Sequence, residues 1–291
     1  MTALIFGANG QDGHYLAAAL RARGVEVVGV SRAGPWRHGS VADRSQVEAL
    51  LQSLKPDQIF HLAARSTTRH DALFENHETI ATGTLNILET ARQVCPSSRI
   101  FIAGSAVQFR NLGEPIDEST PFEASSAYAV ARIQSVYAAR YFRGLGLRCY
   151  VGYLFHHDSP MRGPGHVAQL IAQAAQRAAR GEAPSLELAD VQVDKEWTFA
   201  GDSVEAMLAL LDQDDVSEVV IGSGETHSIA EWLERCFRLV GLDWRKHVRV
   251  SGAVQPDYRR LVSNPARLRA LGWSPRVGFD ELARLMVMPR S

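Results

Sequence analysis

Four apolar residues, Ala3-Leu-Ile-Phe6, run directly into Gly7-Ala-Asn-Gly10-Gln-Asp-Gly13 and then into an alanine- and leucine-rich segment at 14–23. The apolar run suits a buried parallel strand, and the segment after the glycines suits a helix. Strand, glycine turn and helix is the order a dinucleotide site requires. Glycines let the backbone turn tightly and approach a pyrophosphate, which lies against the positive helix N-terminus. The spacing is G-x-x-G-x-x-G rather than G-x-G-x-x-G, so the motif alone also fits a plain tight turn. Gly7, Asn9, Gly10, Gln11, Asp12 and Gly13 are the candidate cofactor contacts.

The same rhythm continues. A strand at 25–30 ends in Ser31-Arg32. An NAD site usually carries an acidic residue here for the ribose hydroxyl, whereas an arginine accommodates a 2′-phosphate, so Arg32 favours NADP(H) over NAD(H). The competing reading is a surface arginine in a loop that also holds Arg37 and His38. A helix at 45–54, a strand at 58–62, a helix at 79–94 and a strand at 99–103 follow. This alternation predicts an α/β chain with a doubly wound parallel sheet of the Rossmann type, with ligands beyond the carboxyl ends of the strands. Leu62, Ala63 and Ala64 stand at one such end and Gly104-Ser105 at another.

Ala124-Ser-Ser-Ala-Tyr128-Ala-Val-Ala-Arg132 opens a helix that runs to about residue 145. Tyr128 and Arg132, four apart, share a helix face, where a cation can favour the phenolate. A core tyrosine beside a solvated arginine is the plain alternative. The strand at 149–155 delivers His156-His157, adjacent histidines without metal-ligand spacing, so no metal is expected. Past Pro160 the rhythm loosens into a loop at 161–165, a helix at 167–180 and a strand at 186–188. Glu196-Trp197 then leads into a helix opened by Asp202. A strand at 216–221 and a helix at 228–240, with Ser228 as N-cap and Glu231 three residues on, complete the pattern. The expected organisation is interleaved: a dinucleotide-binding domain at 1–155 and 197–223, and a smaller substrate lobe at 156–196 and 224–291.

A net charge of -1 over 291 residues gives no reason to expect nucleic acid or an anionic membrane as partner. Cys95, Cys149 and Cys236 are odd in number and widely spaced, which fits a reducing cytoplasm rather than a disulfide framework. Met1-Thr-Ala-Leu-Ile-Phe6 enters a strand with no basic or long apolar leader, so neither export nor a membrane span is expected.

With these pieces placed, the chain resembles the extended short-chain dehydrogenase/reductases, and most nearly their GDP-mannose 4,6-dehydratase branch. The resemblance rests on Gly7-Ala-Asn-Gly-Gln-Asp-Gly13, Thr120-Pro-Phe122, Tyr128-Ala-Val-Ala131, Leu154-Phe-His-His-Asp-Ser-Pro160 with Arg162-Gly163, Gly222-Ser-Gly-Glu-Thr-His-Ser228 and Leu271-Gly-Trp-Ser-Pro275. It implies a redox centre in which Ser105 matches the family's Ser/Thr and Tyr128 its tyrosine, while Arg132 stands in place of a lysine. Arginine keeps the charge but presents a planar fork instead of a compact ammonium. The resemblance adds Tyr128, Arg132, Leu154 and His157 to the cofactor contacts, and gives Ser105, His156, Arg162 and Val167 to a nucleotide-sugar substrate. Three further positions depart from the pattern. Val107, or Gln108 after a one-residue shift, replaces the glutamate that serves dehydration, and neither transfers protons. His156 replaces an asparagine, and Leu170 a phosphate-binding lysine. The expected activity is therefore that of an NADP(H)-dependent 4-keto reductase or epimerase of a nucleotide-diphospho-hexose. Two alternatives stand beside it: a 4,6-dehydratase whose acid/base has moved, to His156 or to Asp117-Glu118, and a non-catalytic NADP-binding sensor or partner subunit. The resemblance also implies a homodimer through the helices at 79–94 and 127–145, with Tyr137, Tyr141 and Phe142 serving that interface or the core.

Overall fold

The computed structural model describes residues 1–182, 186–252 and 257–288. Its main sheet contains β1 (Thr2–Phe6), β2 (Glu26–Ser31), β3 (Arg37–His38), β4 (Gln58–His61), β5 (Arg99–Ser105), β6 (Arg148–Leu154) and β7 (Glu218–Ile221). Their order is β3-β2-β1-β4-β5-β6-β7, with every neighbour parallel. The direction of winding reverses beside β1, which pairs with β2 on one side and β4 on the other. That reversal opens a crevice at the strand carboxyl ends, where ligands of open α/β sheets bind.

The inner strands are mostly apolar because both faces of the sheet are covered there. Leu4 and Phe6 join Ile59, Ile100 and Ile102 in the core on one face, and Ala3 and Ile5 join Phe60 and Phe101 on the other. This is the two-residue alternation of a strand. On the first face lie α2 (Arg44–Leu54), α3 (Gly83–Val94) and α4 (Ala127–Gly144); on the second lie α1 (Gln11–Ala22) and α6 (Ala200–Leu211). A separate cluster joins α5 (Val167–Ala179), α7 (Ile229–Arg238) and α8 (Phe279–Val287) around Trp197 and Trp232, whose rings stack at 4.4 Å. There Asp194–Glu196 pairs with Thr226–Ser228 and Arg260–Leu261. The Glu196 carboxylate, fully buried, accepts the backbone N–H groups of Ser223 and Ser263, fastening these distant segments together.

Side-chain caps set three of the helix starts. Asp43 caps α2 at Gln46 N, Ser126 caps α4 at Ala129 N, and Ser228 with Glu231 forms the expected capping box of α7. Four expectations need correction. Helix α1 begins at Gln11 instead of residue 14, because Gly10 in extended conformation is its N-cap, and Gly13 lies inside the helix. Arg37–His38 is a short edge strand instead of loop. The helix expected at 79–94 starts as a π-helical stretch, His77–Thr82, in which Thr84 Oγ1 donates to the Ile80 carbonyl at 2.6 Å. A side chain that takes this carbonyl competes with the regular helical ladder. Finally, Asp202 does not open α6; it is the third residue, and its Oδ2 accepts Arg276 N and Val277 N, each at 2.9 Å. Among the described residues, no helix is long and apolar enough to cross a membrane.

Candidate active site

A cavity of about 1610 Å³ opens at the carboxyl ends of β1, β4, β5 and β6. One small ligand typically occupies roughly 300–1,000 Å³, so this space admits two bound molecules. A second cavity, about 300 Å³, lies toward the end of β2. Gly7, Gly10, Leu62 and Ala64 line both. The larger also receives Gln11, Asp12, Gly13, Leu154 and His157, and the smaller receives Asn9, Arg32 and Ala63. Every residue read from the sequence as a cofactor contact thus faces one of two adjoining spaces. The glycines permit this. Gly7 has φ +90, and a Cβ there would lie 2.7 Å from Ala63 N; a Cβ on Gly13 would lie 2.6 Å from Ala8 Cα. Only a turn without side chains lets β1, α1 and the loop after β4 converge so closely.

The turn is also latched from across the sheet. Gln11 Nε2 donates to His157 O at 3.0 Å, and Ser159 Oγ donates to Gln11 Oε1 at 2.9 Å. His157 lies 2.7 Å through Nδ1 from Phe155 O and 2.9 Å through Nε2 from Asp12 Oδ1. Burial opposes charge on both side chains, yet their mutual attraction outweighs it: Asp12 is held below the usual carboxylate range and His157 above the usual imidazole value. Two acceptors on one ring fit an imidazolium that donates from both nitrogens.

Ser105, Tyr128 and Arg132 all line the larger cavity. Tyr128 is 8% exposed and Arg132 4%. The guanidinium does not sit out in solvent. Its Nη1 donates to Ala103 O, and its Cζ stands 5.0 Å from the centre of the Tyr128 ring. Arg132 is thus pinned to the end of β5 and stacked on the tyrosine, in place of the plain alternative of a solvated cation. Burial, with the nearby Arg132 charge, pushes the pKa of His61 beneath it down to about 4.

Of the next residues, Val107 lines the cavity, whereas Gln108 is fully buried and turns back to accept Ser105 N–H on Oε1 at 2.8 Å. Asp117 and Glu118 are engaged elsewhere. Asp117 caps Ser119 N, while Glu118 Oε1 accepts Val220 N and its Oε2 lies 3.5 Å from Arg267. Neither is among the residues lining the cavity.

His156, Arg162 and Val167 line the far side of the cavity, together with residues the sequence reading missed: Lys195, His166 and Tyr258. Tyr258 Oη and His156 Nε2 are 3.1 Å apart. Arg162 Nε is 3.3 Å from Asp158, and its Nη2 is 3.0 Å from His166 Nδ1. Burial pushes Lys195 down to about 8 although Asp158 favours its charge, and burial with Arg162 pushes His166 down to about 4. Lys195 Nζ lies 4.4 Å from the centre of the Trp197 ring. One signal was available in the sequence: the lysines are confined to Lys55, Lys195 and Lys246, and Lys195 precedes Glu196-Trp197. Leu170 lies within α5, so the position carries no cation. Among the described residues, no group of three or more His, Cys, Asp or Glu side chains is placed to hold a metal ion.

The family described as GDP-mannose 4,6 dehydratase matches residues 4–286. GDP-mannose 4,6 dehydratase 1 of Arabidopsis thaliana is 31% identical, over 98% of this chain and 88% of that protein. Among solved structures, the Thermus thermophilus UDP-glucose 4-epimerase complex with NAD has a TM-score of 0.85 at 25% identity, covering 99% of this chain and 98% of the other. RMD from Pseudomonas aeruginosa, complexed with NADPH, shares the fold with a TM-score of 0.85 at 21% identity, covering 98% and 96% of the two chains. The match across nearly the whole chain, on a Rossmann sheet with serine and tyrosine at one cavity, shows that this protein belongs to the GDP-mannose 4,6 dehydratase family of extended short-chain dehydrogenase/reductase enzymes.

Proposed function

We propose that the protein is an NADP(H)-dependent oxidoreductase of a nucleotide-diphospho-hexose, working as a 4-keto reductase or an epimerase. The observation that carries this reading is that Ser105 and Tyr128 share the cavity with Val107. The reading takes Ser105 and Tyr128 as the family's hydroxyl pair and Val107 as standing at its acid/base position, where a valine transfers no proton.

A nicotinamide cofactor, when bound, supplies hydride transfer. The protein's own part is positioning and proton movement. The Gly7 to Gly13 turn and the first amides of α1 would hold the pyrophosphate, and Arg32 would take the 2′-phosphate. Ser105 hydrogen-bonds the reacting oxygen. In reduction the carbonyl carbon gains the hydride and its oxygen gains the Tyr128 proton; in oxidation both movements reverse. Arg132, anchored at Ala103 O and stacked on Tyr128, would keep the tyrosine ring in place and hold the ribose. Lys195 and Arg162 supply positive charge for the substrate diphosphate. Replacing Tyr128 with Phe should lower the rate of NADPH oxidation with 4-keto sugar nucleotides by about 10²–10⁴-fold and leave NADPH binding intact. An unchanged rate would remove Tyr128 from the chemistry.

The family match and the His156–Tyr258 pair at the cavity favour one other reading, a 4,6-dehydratase with a relocated acid/base. Conversion of GDP-mannose to a 4-keto-6-deoxy product without net cofactor consumption would establish it. The division into a dinucleotide domain at 1–155 and 197–223 and a substrate lobe at 156–196 and 224–291 belongs to the same proposal. So does a cytoplasmic location, which suits the buried free thiols of Cys95, Cys149 and Cys236. A homodimer is supported by the exposed Tyr137 and Tyr141 on α4, while Phe142 is buried in the core; sedimentation of the purified chain tests it.

A further inference from the structure

Arg32 is already engaged. Its Nη2 donates to Glu75 Oε1 at 2.8 Å, and Arg65 Nη1 donates to the other oxygen, Oε2, at 3.2 Å. The three residues come from separate places in the chain: Arg32 follows β2, Arg65 follows β4, and Glu75 lies in the short helix Leu73–Asn76. Arg32 lines the smaller cavity and Arg65 the larger, so the carboxylate bridges one residue of each lining. Its placement is supported from beneath. The adjacent Asn76 is fully buried, accepts Arg65 N–H at 3.2 Å and donates to Thr67 O at 3.3 Å, which fixes the loop that carries Arg65 against the helix that carries Glu75. The hydrogen bond from Arg32 is the main influence holding Glu75 below the usual carboxylate range, so it stays ionised at neutral pH.

A carboxylate shared by two guanidinium groups occupies the donors that a phosphate would need. We infer that Glu75 is a cofactor-selecting residue: it competes with a ribose 2′-phosphate for Arg32 and Arg65, and it accepts the 2′-hydroxyl of an unphosphorylated ribose instead. This rests on the reading of Arg32 as the 2′-phosphate contact. The acidic residue that an NAD site places at the end of its second strand is missing from the Ser31-Arg32 position. Glu75 brings that function back from another element. The site therefore holds both devices at once, an arginine for the phosphate and a carboxylate for the hydroxyl.

Titration of the purified full chain with NADPH and with NADH, for wild type, Glu75→Gln, Glu75→Asp and Arg32→Gln, tests this. Glu75→Gln keeps the shape and removes the charge, so NADPH should bind about 3- to 10-fold more tightly and NADH more weakly. Glu75→Asp should restore part of the wild-type ratio. Arg32→Gln should weaken NADPH at least about 10-fold with little change for NADH. If Arg32→Gln weakens NADPH while Glu75→Gln leaves the NADPH-to-NADH ratio unchanged or lowers it, the role of Glu75 falls and the phosphate contact stands. If Arg32→Gln leaves NADPH unaffected, or wild type binds neither dinucleotide, both fall together.

Discussion

The two halves of the large cavity are built differently. Around the glycine turn, polar groups are paired within the protein: Gln11 with His157 and Ser159, and Asp12 with His157. On the substrate side, cations and imidazoles crowd together with fewer partners. Arg162, His166, Lys195 and His156 line one wall, Asp158 is the carboxylate nearest them, and His156 Nδ1 is buried with no hydrogen-bond partner among the described residues. Burial, helped by repulsion from Arg162, lowers the charge of Lys195 and His166 there, whereas on the turn side the attraction of Asp12 raises that of His157 against burial. The polar side chains of the turn are already paired within the protein. The opposite wall stores positive charge that an anionic ligand would stabilise.

Breaking the paired half should have the larger effect on folding. Gly7→Ala forces an L residue into φ +90 with its Cβ against the Ala63 backbone, so urea unfolding should show a loss of about 3 kcal/mol or more. Gly163→Ala, in the substrate half, meets its nearest atom at 3.7 Å with no positive φ. It should cost less than about 0.5 kcal/mol. Equal losses would erase the contrast between the halves.

A smaller effect should come from the charged wall. Lys195→Met should weaken GDP binding about 10-fold while NADPH binding stays within about twofold. Because Lys195 is pushed down to about 8, wild-type affinity for GDP should decline as the pH rises through that value, and the variant should lack this decline. An NADPH affinity that fell in parallel would mean that the two halves act as one.

A smaller effect again belongs to the latch. His157 has a folded pKa above its ordinary value of 6.5, so its contribution is full below that value and is lost as the pH rises through the folded one. Asp12 has a folded pKa below its ordinary value of 3.8, so its contribution is present above that value and lost as the pH falls through the folded one. His157→Gln should therefore destabilise the protein by about 1 kcal/mol between these limits, with the difference narrowing toward alkaline pH. Thermal unfolding from pH 5 to pH 9 measures it, and a difference that grows with pH would contradict the paired charges.

Much of the first half of the fold could be read from the chain because its signals are local. Apolar runs of four to seven residues, glycine turns and capping residues act within a few positions, and they place β1, β4, β5, β6 and the helices between them. The second half was less legible. Asp194–Glu196 acquires its strand character from Thr226–Ser228 and Arg260–Leu261, segments remote in sequence, and no pattern inside three residues announces such a pairing. Lys195 and Tyr258 were missed for the same reason, since each becomes a cavity residue only when these segments meet the end of β6.

Composition and order along the chain were enough to determine a Rossmann sheet, a glycine turn at its first crossover, and a serine and tyrosine at the ends of later elements. The tertiary structure decided what those residues touch. It turned Gln108 inward and Val107 toward the cavity, pinned Arg132 to Ala103, and set Glu75 between Arg32 and Arg65. The physical reason is range: secondary structure follows from neighbours along the chain, whereas charge pairing and access to a cavity depend on groups that only folding brings within a few ångströms.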